Sequence, residues 1–259
     1  MKVPSGTGTP LSGPGGVVRE TMTPLEARQE CSDALALTTQ ILVRGSVRGQ
    51  RVRFRMWAAT AFPALARLEV VASSGFPPFV FSANADDATL LVPRPDRVLQ
   101  HERASAVLDV VAGIPLNGTD LEGVLTGCPR IGGVYRAFQF GDTWLKFFID
   151  DDDEVFLRRD HPGGPWHLVV MIRRAPGQAL RWRAEFRDRR DGLPRTIRLT
   201  SLRWNGQPSG AFDLRLSLRH LEINPLIGPE ELAVSVPGSA HPITLDELRR
   251  SFSLESARR

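Results

Sequence analysis

Residues 51–59 read RVRFRMWAA: Val52, Phe54, Met56 and Ala58 fall on one side of an extended chain, and Arg51, Arg53, Arg55 and Trp57 on the other. A period of two with one apolar face is the signature of a strand that covers a core and shows its back to water. The pattern continues outward. In ARLEVVA, residues 66–72, Leu68 and Val70 oppose Arg67 and Glu69. PFVFSA (78–83) places Phe79 with Phe81, and ATLLVP (88–93) places Leu90 with Val92. Short connections rich in Gly and Pro separate the runs, as expected of consecutive antiparallel strands.

Further along, Leu145, Phe147 and Ile149 alternate in TWLKFFI, and Trp166, Leu168, Val170 and Ile172 in WHLVVMI. Leu180, Trp182, Ala184 and Phe186 follow, then Ile197 with Leu199, then Leu214, Leu216 and Leu218. The reading gives about eleven or twelve strands.

Three segments have helical spacing instead. Thr21 to about Leu37 carries Leu25, Ala27, Cys31, Ala34 and Leu35 near one stripe. RASAVLDVVAG carries Ala104, Val107, Leu108 and Val111 and stops at Gly113. TDLEGVLTGC begins at Thr119 as a cap and ends at Gly127-Cys128-Pro129. Many one-faced strands with few helices must curl to bury their apolar side. The expected fold is therefore mainly β: an open, strongly curved antiparallel sheet whose concave side is plugged by helices. An incomplete plug leaves an apolar hollow that suits an acyl chain better than water.

Composition narrows the function. With 42% hydrophobic and 24% charged residues over 259, the chain is neither disordered nor fibrous, and no run approaches the ~20 apolar residues of a membrane-spanning helix. The net charge of +4 is almost all arginine, the lysines being Lys2 and Lys146. These arginines alternate along strands rather than forming a basic block, which argues against nucleic acid as a partner. The five histidines, His101, His161, His167, His220 and His241, are scattered. No nucleophile elbow, phosphate loop or zinc motif is present, so neither a catalytic residue, a metal nor a cofactor is assigned. Asp150, Asp151, Asp152, Asp153 and Glu154 lack the spacing of a calcium loop and read as a charged, solvated turn.

Cys31 and Cys128 fit one disulfide in an oxidising compartment or two buried thiols; the disulfide is the favoured reading. Residues 1–20, with VPSGTGTPLSGPGG at 3–16, read as a flexible tether, 21–250 as a single domain and 251–259 as a flexible tail. A tether of this kind fits a chain that follows a removed signal peptide or a lipidated cysteine; a simple disordered amino terminus is the alternative. Phe76, between Gly75 and Pro77 in SSGFPPF, is the candidate for a loop touching a membrane or a partner, with Trp57 and Tyr135 as lesser rim candidates.

The stretch GSVRGQRVRFRMWAATAFPALARLEVVASSGFPPFVFSANADDATLLVPRPDRVL, with Phe62-Pro63, the Arg67-Leu68-Glu69 run and the Gly75/Pro77 turn, resembles the LolA/LolB-like lipoprotein-localisation family. LTGCP (125–129) and INPLIGPEELAVSVPGSAHPITLDELR also resemble divergent LolB-like lipoproteins of GC-rich bacteria. The resemblance implies an unclosed β-barrel with a helical lid, located in the periplasm and anchored to the outer membrane through a lipidated amino terminus; no enzymatic activity and a monomeric state are expected. Its apolar interior receives the acyl chains of lipoproteins or other lipids, and an apolar residue on an early loop, here nearest Phe76, aids transfer at the outer-membrane surface. Phe76 follows Gly75 where the family's residue precedes the Gly, and the Cys31/Cys128 pair departs from the family pattern. The inward set expected to line the lipid cavity is Phe54, Met56, Leu68, Val70, Phe79, Phe81, Leu90, Val92, Leu145, Phe147, Trp182 and Phe186. An envelope sensing or interaction module on the same fold, without lipid transfer, is the alternative.

Overall fold

The structure is a computed structural model. It describes residues 1–6, 8–11, 17–19, 36–70, 78–93, 96–128, 134–149, 153–175 and 180–257. One mainly antiparallel sheet contains all the strands: β1 (Thr9–Pro10), β2 (Val17–Arg19), β3 (Ala36–Val47), β4 (Gln50–Ala61), β5 (Leu65–Val70), β6 (Phe79–Asn84), β7 (Asp87–Val92), β8 (Arg97–Arg103), β9 (Val134–Phe140), β10 (Trp144–Ile149), β11 (Asp153–Arg158), β12 (His167–Arg174), β13 (Arg181–Arg190), β14 (Leu193–Leu202), β15 (Pro208–Ile223) and β16 (His241–Pro242). Among the described residues four helices accompany it: α1 (Ala104–Ala112), α2 (Gly118–Thr126), α3 (Pro229–Leu232) and α4 (Leu245–Ala257).

The sheet runs β1-β9-β10-β11-β12-β13-β14-β15-β3-β4-β5-β6-β7-β8-β16, with β2 beside β9. Two sequential meanders, β3 to β8 and β9 to β15, therefore join through the β15/β3 pair. The ends of the meanders, β8 and β9, carry β16 and β1 with β2 rather than each other among the described residues, and the barrel stays open. Between these two strands in sequence come α1 and α2, which pack over the apolar face.

The alternation of β4 holds. Phe54 and Ala58 are buried, and Arg51, Arg53, Arg55 and Trp57 are exposed. Hairpin geometry fixes the register: Arg48 and Gly49 both have positive φ between Val47 and Gln50, as do Asp191 and Gly192 between Arg190 and Leu193. That is the two-residue turn whose twist matches the flanking strands.

Four sequence expectations change. First, Ala36 and Leu37 open β3 rather than end a helix; the rest of the Thr21–Leu37 segment lies outside the described residues. Second, the WHLVVMI alternation breaks at a bulge. The register shifts between Phe156 and Leu157, so Leu168 and Met171 join the main core. Val169, Val170 and Ile172 instead form a small cluster on the other face with Phe156 and Leu202. One extra residue in a strand flips everything beyond it to the opposite face.

Third, part of the expected tether lies on the sheet: Thr9 and Pro10 pair with Gln139 and Phe138. Fourth, α4 continues through 251–257, where the tail was expected to begin. Its start is a reciprocal cap. The Thr244 N–H donates to Glu247 Oε2 (2.8 Å), and the Glu247 N–H to Thr244 Oγ1 (3.3 Å).

Candidate functional site

The inward faces of the strands and the undersides of α1 and α2 enclose an apolar cavity of about 50 Å³. Its floor is Ile41 and Val43 of β3, Phe54 and Met56 of β4, Leu68 of β5, Phe79 of β6, Leu199 of β14 and Leu216 of β15. Its roof is Leu108 and Ala112 of α1, Ile114 and Leu116 of the connection, and Leu121, Val124 and Leu125 of α2. Every lining residue is apolar. A void of this size with no polar partner is poor lodging for water, which needs two or more hydrogen bonds to stay. It is too small for a whole acyl chain while the helices are seated.

Of the twelve residues expected to line a lipid cavity, Phe54, Met56, Leu68 and Phe79 border this apolar void. Val70, Phe81, Leu90, Val92, Leu145, Phe147, Trp182 and Phe186 sit in the packed core around it. The sequence reading missed Ile41 and Val43, because their strand was not recognised. It also left the roof out of the set, although Leu108 had been placed on the apolar stripe of its helix.

The two roof helices are held at specific points. Helix α1 starts where the Ala104 N–H donates to Asp86 O (2.7 Å) and ends at Gly113 (φ 70°), whose N–H donates to Asp109 O (3.0 Å). A Cβ at Gly113 would meet Val47 Cγ1 at 2.2 Å, so glycine is needed there for space as well as for backbone sign. Helix α2 is capped by Asn117, not by the expected Thr119. The Asn117 side chain accepts from the Asp120 N–H (2.8 Å), and Asp120 Oδ2 accepts from the Asn117 N–H (3.2 Å). Gly118 touches two strand turns: its N–H donates to Ala85 O (2.8 Å), and a Cβ there would stand 2.4 Å from Ala64 O. From the next turn of the helix, Glu122 Oε2 accepts the Ala64 N–H (2.9 Å).

A charged clasp completes the seating. Arg173 of β12 donates from Nη1 to Asp120 Oδ1 (2.8 Å) and from Nε to Asp153 Oδ2 (2.7 Å), while the Arg174 N–H donates to Asp153 Oδ1 (2.9 Å). This corrects the reading of the acidic run as a solvated turn. Asp153 and Glu154 open β11, Asp153 is buried, and Glu154 is held by Lys146 and Arg181 (2.8 Å each). Asp150, Asp151 and Asp152 lie outside the described residues. Burial pushes the Asp120 carboxyl up from 3.8 to about 6; the Arg173 charge and the Asn117 N–H oppose this, and Asp153 and Asp86 add to it.

Phe76 and Cys31 lie outside the described residues, and Tyr135 is described only as part of β9. Cys128, just past the left-handed Gly127 that ends α2, is not a free thiol. Trp57 is 48% exposed on the outer face. Among the described residues, no group of three His, Cys, Asp or Glu side chains could hold a metal ion. His101 and Asp87 form a pair 3.6 Å apart in full solvent, remote from any enclosed space.

With this geometry in hand, comparison with solved structures places the fold. A LolA superfamily protein from Nitrosomonas europaea superposes with a TM-score of 0.51 at 9% identity, covering 80% of this chain and 96% of its own. A DUF1329 family protein from Desulfovibrio piger gives 0.51 at 8%, covering 81% and 94%. An outer membrane lipoprotein-sorting protein domain from Vibrio parahaemolyticus gives 0.49 at 14%, covering 80% and 95%. No family model matches the sequence, and no curated protein does. The first two likenesses span nearly the whole of each neighbour and establish a LolA-like open-barrel fold.

Proposed function

We propose that this protein is a non-enzymatic carrier or receptor for acyl chains, of the kind borne by lipoproteins, and that α1 and α2 are the lid that yields to them. The observation that carries the reading is the wholly apolar cavity between the open sheet and the two helices seated on its apolar face. The lid is apolar enough to compete with a ligand for the same surface, and each methylene a ligand buries there contributes ~0.8 kcal/mol. The fold shared with the LolA superfamily protein agrees with this direction, and the reading places the chain in the cell envelope, where such chains occur. Transfer of lipoproteins to an outer membrane is the finer form of the proposal, with Phe54, Met56, Leu68 and Phe79 as the floor on which the acyl chain lies.

Native mass spectrometry of the protein after mild extraction tests it. Co-purified acyl species, lost when the cavity is filled by Val124→Phe, support the carrier. Their consistent absence, together with failure to bind an added fluorescent fatty acid, favours a sensing or interaction module on the same scaffold. That second reading draws on one observation: the seated lid leaves only about 50 Å³.

A further inference from the structure

Strand register aligns like charges on the outer face. Arg198 of β14 stands opposite Arg215 of β15, Arg215 opposite Arg44 of β3, and Arg44 opposite Arg53 of β4. Four guanidinium groups thus lie in one row across four neighbouring strands, spanning about 14 Å at the usual strand spacing. Arg51 and Arg55 flank the row on β4. Trp57 continues the same side of that strand, in a row with Gln40 and Arg219.

Like charges directly opposite each other destabilise a sheet, so such a row costs stability unless a partner compensates it. Several arginines elsewhere are matched: Arg48 to Asp109, Arg67 to Glu69, Arg183 and Arg187 to Glu185, and Arg195 to Asp191. In the row itself Arg198 is matched, by both oxygens of Asp213 at 3.0 and 2.8 Å. Arg44, Arg51, Arg53, Arg55 and Arg215 are exposed and have no hydrogen bond or ion pair among the described residues. Two carboxylates stand in the rows of Arg51 to Arg55 as far as β13, Asp213 and, opposite Arg198, Glu185, and both are already engaged.

We propose that this arginine face is a docking surface for an anionic lipid membrane. Its arginines outnumber its carboxylates, and five of them are unneutralised among the described residues. It lies on the outside of a curved sheet, whereas a single nucleic-acid strand is held in a groove. An exposed tryptophan beside the arginines is the pairing that settles at a headgroup boundary, where the indole is half apolar and the guanidinium meets phosphate. The surface is independent of the cavity and lid, which occupy the opposite face.

The test is co-sedimentation of the full chain with phosphatidylcholine vesicles, with and without phosphatidylglycerol. Binding only to the anionic vesicles, weakened by salt, is expected. A charge near such a surface is worth roughly fivefold in partitioning, so Arg44→Gln/Arg53→Gln/Arg215→Gln lowers binding on the order of a hundredfold. Its thermal midpoint stays equal or rises, because repulsion is removed. Should that triple variant fail to fold, Arg51→Gln/Arg55→Gln provides the same comparison with about a twentyfold loss. Equal binding to neutral vesicles, insensitivity to these substitutions, or binding to an acidic protein or oligonucleotide with none to anionic vesicles overturns the proposal.

Discussion

Leu125→Ala separates a lid from a lid-shaped piece of core. Leu125 is 2% exposed, belongs to α2 and lines the cavity from above. The substitution removes three carbons, about 2.4 kcal/mol of transfer free energy, and adds the penalty for a larger void, so a total destabilisation of ~3–4 kcal/mol is expected in urea unfolding. If an acyl chain and the lid compete for one apolar surface, the transfer part of that loss is taken from the closed state and returned when a ligand fills the space. At tenfold per 1.4 kcal/mol, the affinity for a fluorescent fatty acid then rises by up to about fiftyfold. Leu90→Ala is the control. Leu90 is fully buried in the same core but does not line the cavity. It should cost comparable stability and leave affinity unchanged. Tighter binding by both variants would mean general loosening, and tighter binding by neither would mean that α2 is ordinary core; either result refutes the lid.

Four other outcomes follow from the clasp and its neighbours. Because the folded-state pKa of Asp120 lies near 6, above its ordinary 3.8, the folded protein takes up a proton across that interval; the stability contribution of this group grows as pH falls from 7 toward 4, on the order of 3 kcal/mol. Arg173→Gln, which strands two buried carboxylates, should cost ~3–5 kcal/mol at pH 7.5 and clearly less at pH 5, checked by urea midpoints at both. Gly118→Ala forces a Cβ against Ala64 O, and a loss of ~1–3 kcal/mol with faster entry of the fatty-acid probe is expected by stopped flow. If Cys31 and Cys128 are bridged, the intact mass is ~2 Da low and shifts on reduction; two thiols reacting freely in the folded protein would exclude the bridge.

Much of the fold is legible in the sequence because β4 to β7 pack one face each and the period of two survives in them. Strand β3 is not, for an identifiable reason. Its inward row is Leu37, Thr39, Ile41 and Val43, and the buried Thr39, whose hydroxyl donates to Arg219 O (2.9 Å), disguises the alternation with a polar letter. The preceding Ala and Leu residues add a helical rhythm. The site is legible only in part. Alternation reports that Leu90 and Phe147 are buried, but not that the space beside Phe54 and Met56 is unfilled. The clasp is hidden for a different reason: Asp120, Asp153 and Arg173 come from three distant segments, and only the β11/β12 register and the seat of α2 bring them together.

The β15/β3 pair sets residues 212–223 beside residues 37–47. These are the segments most distant in sequence among the long strands, and they form the middle of the sheet. During synthesis the β3–β8 meander therefore emerges with the inner edge of β3 unpaired, and it waits for almost the entire remaining chain before its neighbour arrives. Such topology is slow to fold and leaves an adhesive edge exposed in the meantime. Truncation before β15 should therefore yield aggregates rather than a smaller folded unit.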